Sequence, residues 1–256
     1  MSIPPIVQSD AIGIIGDSIS SGFGASFGWS WNFMRAVKAK YAAPAIPQRP
    51  TGIAVDRGRP PAVVAPLSAR QLTGYAAQLS PSYFMNAAAG RKCGDISGIM
   101  ATVLAPFIAG RTTVYIVELG TNDVNVTPAA TFIPQVTAIR DAIIAAPYFR
   151  MLIWVGVWCA GENWPDGANA FDLTVDGIKD KDDQTAAVMA GAPNCYYISW
   201  RTLRLNTLNA TSNPTHATSG IYTFDQTHPT NTPTATVTSS GGDLLANYTV
   251  SQMSFA

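Results

Sequence analysis

The sequence has little charge. Only 12% of its 256 residues are Asp, Glu, Lys or Arg, about half the ~25% usual for soluble domains, so Ser, Thr, Asn, Gln and small residues must cover much of the surface. Neither sign is in excess: sixteen basic residues face sixteen acidic ones. No positive stripe is therefore available for a phosphate backbone, which argues against nucleic acid as a partner. Cysteine is scarce. Cys93, Cys159 and Cys195 are odd in number and lack CxxC spacing, which argues against a disulfide framework and a zinc cluster and leaves buried free thiols as the expectation. Long apolar runs are missing too. The run from Met151 to Ala160 is too short for the ~20 residues of a bilayer span, so no transmembrane segment is expected. The opening "MSIPPIVQSD" has no basic region, long apolar stretch or cleavage site, so no signal peptide is expected. A soluble chain follows, cytoplasmic or carried outside the cell or on a virion without an N-terminal signal.

What the sequence does have is apolar mass, 47% of the chain, enough for one large domain over residues 1–256. Runs of strand length recur at Ile12 to Ile15, Tyr83 to Asn86, Thr113 to Glu118, Met151 to Val157 and Cys195 to Ser199. They do not alternate with polar residues, as expected of strands covered on both faces. Helical stretches fall between them at Trp29 to Tyr41, Ile96 to Ala109, Ala129 to Ala146 and Thr174 to Ala190, and "DLLANYTVSQM" reads as a closing helix. This alternation predicts an α/β fold with a parallel sheet between two helical layers. A Pro-rich excursion at about 42–80 and a Thr/Ser-rich segment at about 230–242 interrupt the rhythm.

Ligands of such sheets bind at the carboxyl ends of the strands. The polar residues falling there include Asp17 and Ser18 after the first strand, "NAAAGRKCG" after the second, "LGTNDVN" after the third, "WCAGENWPDG" after the fourth, and the later "FDQTHP". Those residue types meet one chemical need. A serine hydroxyl attacks an acyl carbon once an imidazole takes its proton, and a carboxylate fixes that imidazole's tautomer. Asp225 and His228 have the right types and a tight-turn separation. The other histidine, His216, has no carboxylate close by in sequence and reads as solvated. Alone, "GDS" reads as an ordinary turn as readily as a nucleophile. "GFGASFG" is spaced GxGxxxG and lacks the pattern of a dinucleotide loop.

Together, "GDSIS", Gly90 in "NAAAG", "GTND" and "DQTHP" occur in the order and approximate placement of the four blocks of the SGNH hydrolases, or GDSL-like esterases and lipases, and the sequence resembles that family from residue 12 to 229. The resemblance implies a three-layer α/β/α sandwich with a five-stranded parallel sheet of flavodoxin-like order. It implies Ser18, Asp225 and His228 as a catalytic triad, and the backbone N–H groups of Ser18 and Gly90 with the Asn122 side chain as the oxyanion hole. No metal or other cofactor is implied. Ile19 stands where the family name has Leu, and the excursion at 42–80 has no counterpart in minimal members.

The implied reaction is hydrolysis of short-chain acyl esters through an acyl-enzyme, with O-acetyl groups on carbohydrate the favoured substrate. That preference rests on low charge, a Ser/Thr/Asn-rich surface, and Trp158 and Trp164 as candidate substrate-binding aromatics. Lipid, aryl or thioester hydrolysis is the alternative within the family. A carbohydrate-binding module without turnover is the alternative from another class.

Overall fold

The computed structural model describes residues 2–21, 29–41, 82–157, 175–203 and 241–256. Trp158, Trp164, His216, Asp225, His228, Cys159 and the excursion at 42–80 lie outside the described residues, as does the Thr/Ser-rich segment up to 240.

Five short, apolar segments form the sheet: β1 (Ala11–Gly16), β2 (Ser82–Ala87), β3 (Val114–Glu118), β4 (Met151–Val155) and β5 (Cys195–Ile198). All pairings are parallel, in the order β2-β1-β3-β4-β5. This is the flavodoxin-like order predicted above. Its topological switch lies at β1, which has β2 on one side and β3 on the other.

Strand residues feed two cores by strict alternation, since successive side chains leave a strand on opposite faces. Ile12, Ile14, Val114, Ile116, Met151 and Ile153 point to one layer. It is built by α1 (Ser18–Ser21), α2 (Trp29–Tyr41) and α8 (Gly241–Ser251), with Trp29, Phe33 and Trp200 packed ring against ring. Ile15, Tyr115, Val117, Leu152 and Trp154 point to the other. There lie α3 (Cys93–Ser97), α4 (Met100–Ala109), α5 (Ala129–Ile144) and α6 (Ile178–Ala190). A short α7 (Trp200–Leu203) follows β5. The result is a three-layer sandwich.

Two predicted helices differ in extent. The stretch Ile96 to Ala109 is two helices, because Gly98 caps the first and Ile99 leaves helical geometry at φ −128°, ψ 24°. In the last stretch the described residues 175–177 precede the helix, which starts at Ile178: Asp176 takes φ 63°, and Gly177 is the extended cap residue. Cys93 and Cys195 are free and buried, as expected. Among the described residues, no helix is long and apolar enough to cross a membrane.

Candidate active site

Strand register decides which residues meet at the rim. Gly16, Ala87 and Glu118 are level with one another at the carboxyl ends of β1, β2 and β3. Ser18, Gly90 and Asn122 each follow within a few residues of those ends, so three predicted site residues leave three adjacent strands on the same edge. Asp225 and His228 belong to the residues not described.

The β1 corner is tight. A Cβ on Gly16 would lie 2.2 Å from Ser20 Oγ and 2.4 Å from Ser20 Cβ, so any side chain there would drive α1 off the strand. Asp17 then braces the turn. Its Oδ1 accepts the Ile19 N–H at 2.7 Å, and its carbonyl accepts the Ser21 N–H at 3.0 Å. Ser18 begins α1 and is 6% exposed. Neighbouring Ser20 is fully buried and faces inward, donating to Glu118 Oε2 at 2.8 Å and accepting the Trp29 indole N–H at 2.9 Å. The serines of "DSISS" thus have different surroundings.

At the β2 corner, Ala88 to Arg91 forms a turn closed by the Arg91 N–H on the Ala88 carbonyl, 3.3 Å. Gly90 occupies its third position at φ 71°, where a positive φ favours glycine. Arg91 turns inward and is 1% exposed. Its guanidinium donates to the carbonyls of Gly16 and Asn86 and to Asn86 Oδ1, at 3.2, 2.9 and 2.9 Å, which clamps the ends of β1 and β2 together.

After β3, Gly120 at φ 116° leads into a 3₁₀ turn, Thr121–Asp123. Asp123 is buried and structural: it accepts the Cys93 N–H at 3.0 Å and the Thr127 hydroxyl at 2.6 Å. Asn122 Nδ2 donates to Asp17 Oδ2 at 2.9 Å and to the Arg91 carbonyl at 3.1 Å. Its amide therefore bonds to the residue before Ser18 and the residue after Gly90. Burial and nearby Asp123 push the Cys93 thiol well above its ordinary range, so it stays a neutral thiol at neutral pH.

Sequence reasoning missed two inward-facing residues beneath the rim, Arg91 and Glu118. Glu118 is 1% exposed, and burial next to Asp17 pushes its carboxyl well above the carboxylate range. Asp17 is raised by burial as well, to about 7, although Arg91 and its hydrogen bonds pull the other way. The available signal was one charged residue ending an apolar strand, "VYIVE". Farther along the rim, Asp182 accepts from the Tyr197 hydroxyl and from Ser199 Oγ, and Trp154 is a core residue whose indole N–H reaches the Leu119 carbonyl at 3.2 Å.

No family model and no curated protein sequence matches the chain. Solved structures do. An acetyl xylan esterase is 17% identical with a TM-score of 0.59, over 94% of this chain and 98% of the other. A psychrotrophic esterase from Pseudoalteromonas, in a structure inhibited by monoethylphosphonate, is 13% identical with a TM-score of 0.58, covering 95% and 96%. A chain from Parabacteroides merdae, named for its likeness to GDSL-type lipases, is 13% identical with a TM-score of 0.55, covering 97% and 98%. The fold is that of the SGNH hydrolases.

Proposed function

We propose that the chain is a serine ester hydrolase. The observation that carries this reading is the Asn122 amide, which links the neighbours of Ser18 and Gly90 on three adjacent strand ends. In the proposed reaction, Ser18 Oγ attacks the acyl carbon and its proton passes to His228, oriented by Asp225. The carbonyl π electrons move onto oxygen. The resulting oxyanion is held by the N–H groups of Ser18 and Gly90 and by Asn122. Both amide hydrogens of Asn122 already have protein acceptors, so the oxyanion would take the place of the longer bond, to the Arg91 carbonyl. Collapse expels the alcohol with the proton from His228. Water, deprotonated by the same imidazole, then frees the acid and restores Ser18.

O-acetyl groups on carbohydrate are the proposed substrate class. The reading draws on the low charge of the chain, the placement of Trp158 and Trp164 after β4, and the structural likeness to an acetyl xylan esterase. Acetate release from a panel of acetylated glycans, run beside nitrophenyl esters of increasing chain length, tests it. Preference for acyl chains of eight carbons or more would rule out the acetylesterase but keep the hydrolase. Failure of a fluorophosphonate to label Ser18 would remove the hydrolase reading itself.

A further inference from the structure

Two carboxyl groups are buried against each other beneath the rim, and neither acts in the reaction above. Asp17 and Glu118 are 0% and 1% exposed. The Asp17 backbone N–H donates to Glu118 Oε2 at 3.4 Å, which sets the two acidic residues side by side out of water, where like charges repel and one of the pair keeps its proton. Surrounding contacts decide which carboxyl keeps it. Asp17 already accepts the Ile19 N–H on Oδ1 and the Asn122 amide on Oδ2. An ionised Asp17 meets both of those donors. Glu118 is met by a neutral hydroxyl and by a longer bond: its Oε2 accepts from Ser20 Oγ at 2.8 Å and from the Asp17 N–H at 3.4 Å.

We propose that Glu118 is a positioning residue: it remains protonated and donates to Asp17, and through Asp17 it holds the Ser18 turn and the Asn122 amide in place for catalysis. The role of Asn122 rests on the hydrolase reading above; the protonation of Glu118 does not. Among the described residues, the other ionisable groups facing the pair are Arg91 from the β2 turn, Cys93 at the start of α3 and Asp123 from the 3₁₀ turn, while α1 and α2 contribute the neutral Ser20 and Trp29. Arg91 supplies the positive charge that favours an ionised Asp17. Keeping Glu118 neutral avoids a second buried negative charge against the first.

Infrared spectroscopy of the whole protein at pH 8 tests protonation without relying on activity. A carboxylic-acid C=O band is expected in the wild type and in Ser18→Ala, and is expected to be missing in Glu118→Gln. If the wild type has no such band, or if Glu118→Gln retains it, Glu118 is not the protonated acid and the proposal fails. Kinetics on a short-chain nitrophenyl ester test the positioning role. Glu118→Gln preserves a neutral donor and should keep kcat within about tenfold. Glu118→Leu cannot donate, and its kcat should fall about 100-fold at nearly constant KM, the scale of losing one oxyanion donor. Equal losses in Gln and Leu, or an intact kcat in Leu, would overturn positioning. Should Leu not fold, the wild-type band and Glu118→Gln still decide. Lack of turnover in the wild type, with the band present, would count against the hydrolase reading alone.

Discussion

Asn122 Nδ2 and Asp17 Oδ2 lie 2.9 Å apart, joining residues 105 positions apart in the chain. This bond ties the turn after β3 to the corner after β1 and fixes the plane of the Asn122 amide. Replacing Asn122 by Ala should lower kcat on a nitrophenyl ester by about 10²- to 10³-fold, with a much smaller change in KM, as expected for a donor that matters in the transition state. A variant with wild-type kcat would remove Asn122 from the oxyanion hole.

Ser18 and Ser20 should separate cleanly. Ser18→Ala is expected to abolish hydrolysis and fluorophosphonate labelling with little change in the unfolding midpoint. Ser20→Ala strands the Trp29 indole N–H and takes a donor from Glu118, and should cost about 1–3 kcal/mol while Ser18 still reacts. Denaturant titration and active-site labelling of the two variants check both halves.

Arg91→Met would remove a buried cation from three acceptors and leave Asp17 without its positive neighbour. Each buried acceptor left unsatisfied costs roughly 1–3 kcal/mol, and the loss of the nearby positive charge adds to it. The deficit should be larger at pH 8 than at pH 5, because protonation of Asp17 at the lower pH neutralises the stranded charge. A deficit independent of pH would show that Arg91 acts through its carbonyl contacts alone.

Stability should fall as pH rises. Asp17, Glu118 and Asp182 all have carboxyls raised chiefly by burial, so the folded chain keeps protons that the unfolded chain has released. Their contribution is fully present below the ordinary carboxylate range and is lost as pH rises through the folded values, about 7 for Asp17. The urea midpoint is expected to be lower at pH 8 than at pH 5, and the slope should become shallower in Glu118→Gln. A midpoint rising across this window would contradict the assignment.

Gly156→Ala probes the far end of the rim. A Cβ there would stand 2.5 Å from the Tyr197 hydroxyl, 2.8 Å from Asp182 Oδ1 and 3.0 Å from the Trp200 backbone nitrogen. Overpacking of this kind costs about 1–3 kcal/mol, which calorimetry would register as a lower Tm. An unchanged Tm would mean that Tyr197 and Asp182 can move aside.

The strands were legible because each is a bounded apolar run, and Ser18, Gly90 and Asn122 became candidates because each closely follows such a run and matches a block of the resembled family. Strand register then sets them on one edge, which no linear pattern displays. The break at Gly98–Ile99 was hidden because apolar residues continue through it, from Ile96 to Met100 and Val103. Arg91 and Glu118 were overlooked for a related reason: a charged residue at the end of an apolar run ordinarily points to solvent. Their inward course depends on partners distant in sequence, Gly16 and Asn86 for Arg91, and Asp17 and Ser20 for Glu118.

The pairing of α2 with α8 bears on how the molecule forms. Residues 42–240 lie between these two helices, yet Leu245, Ala246 and Val250 share a core with Phe33, Met34 and Val37. The opposite layer is assembled from α3 to α6, close along the chain to the strands they cover. During synthesis, Ile12, Ile14, Val114 and Ile116 would remain partly uncovered until the last helix emerges, so closure of this face should be a late, slow step dominated by long-range loop formation.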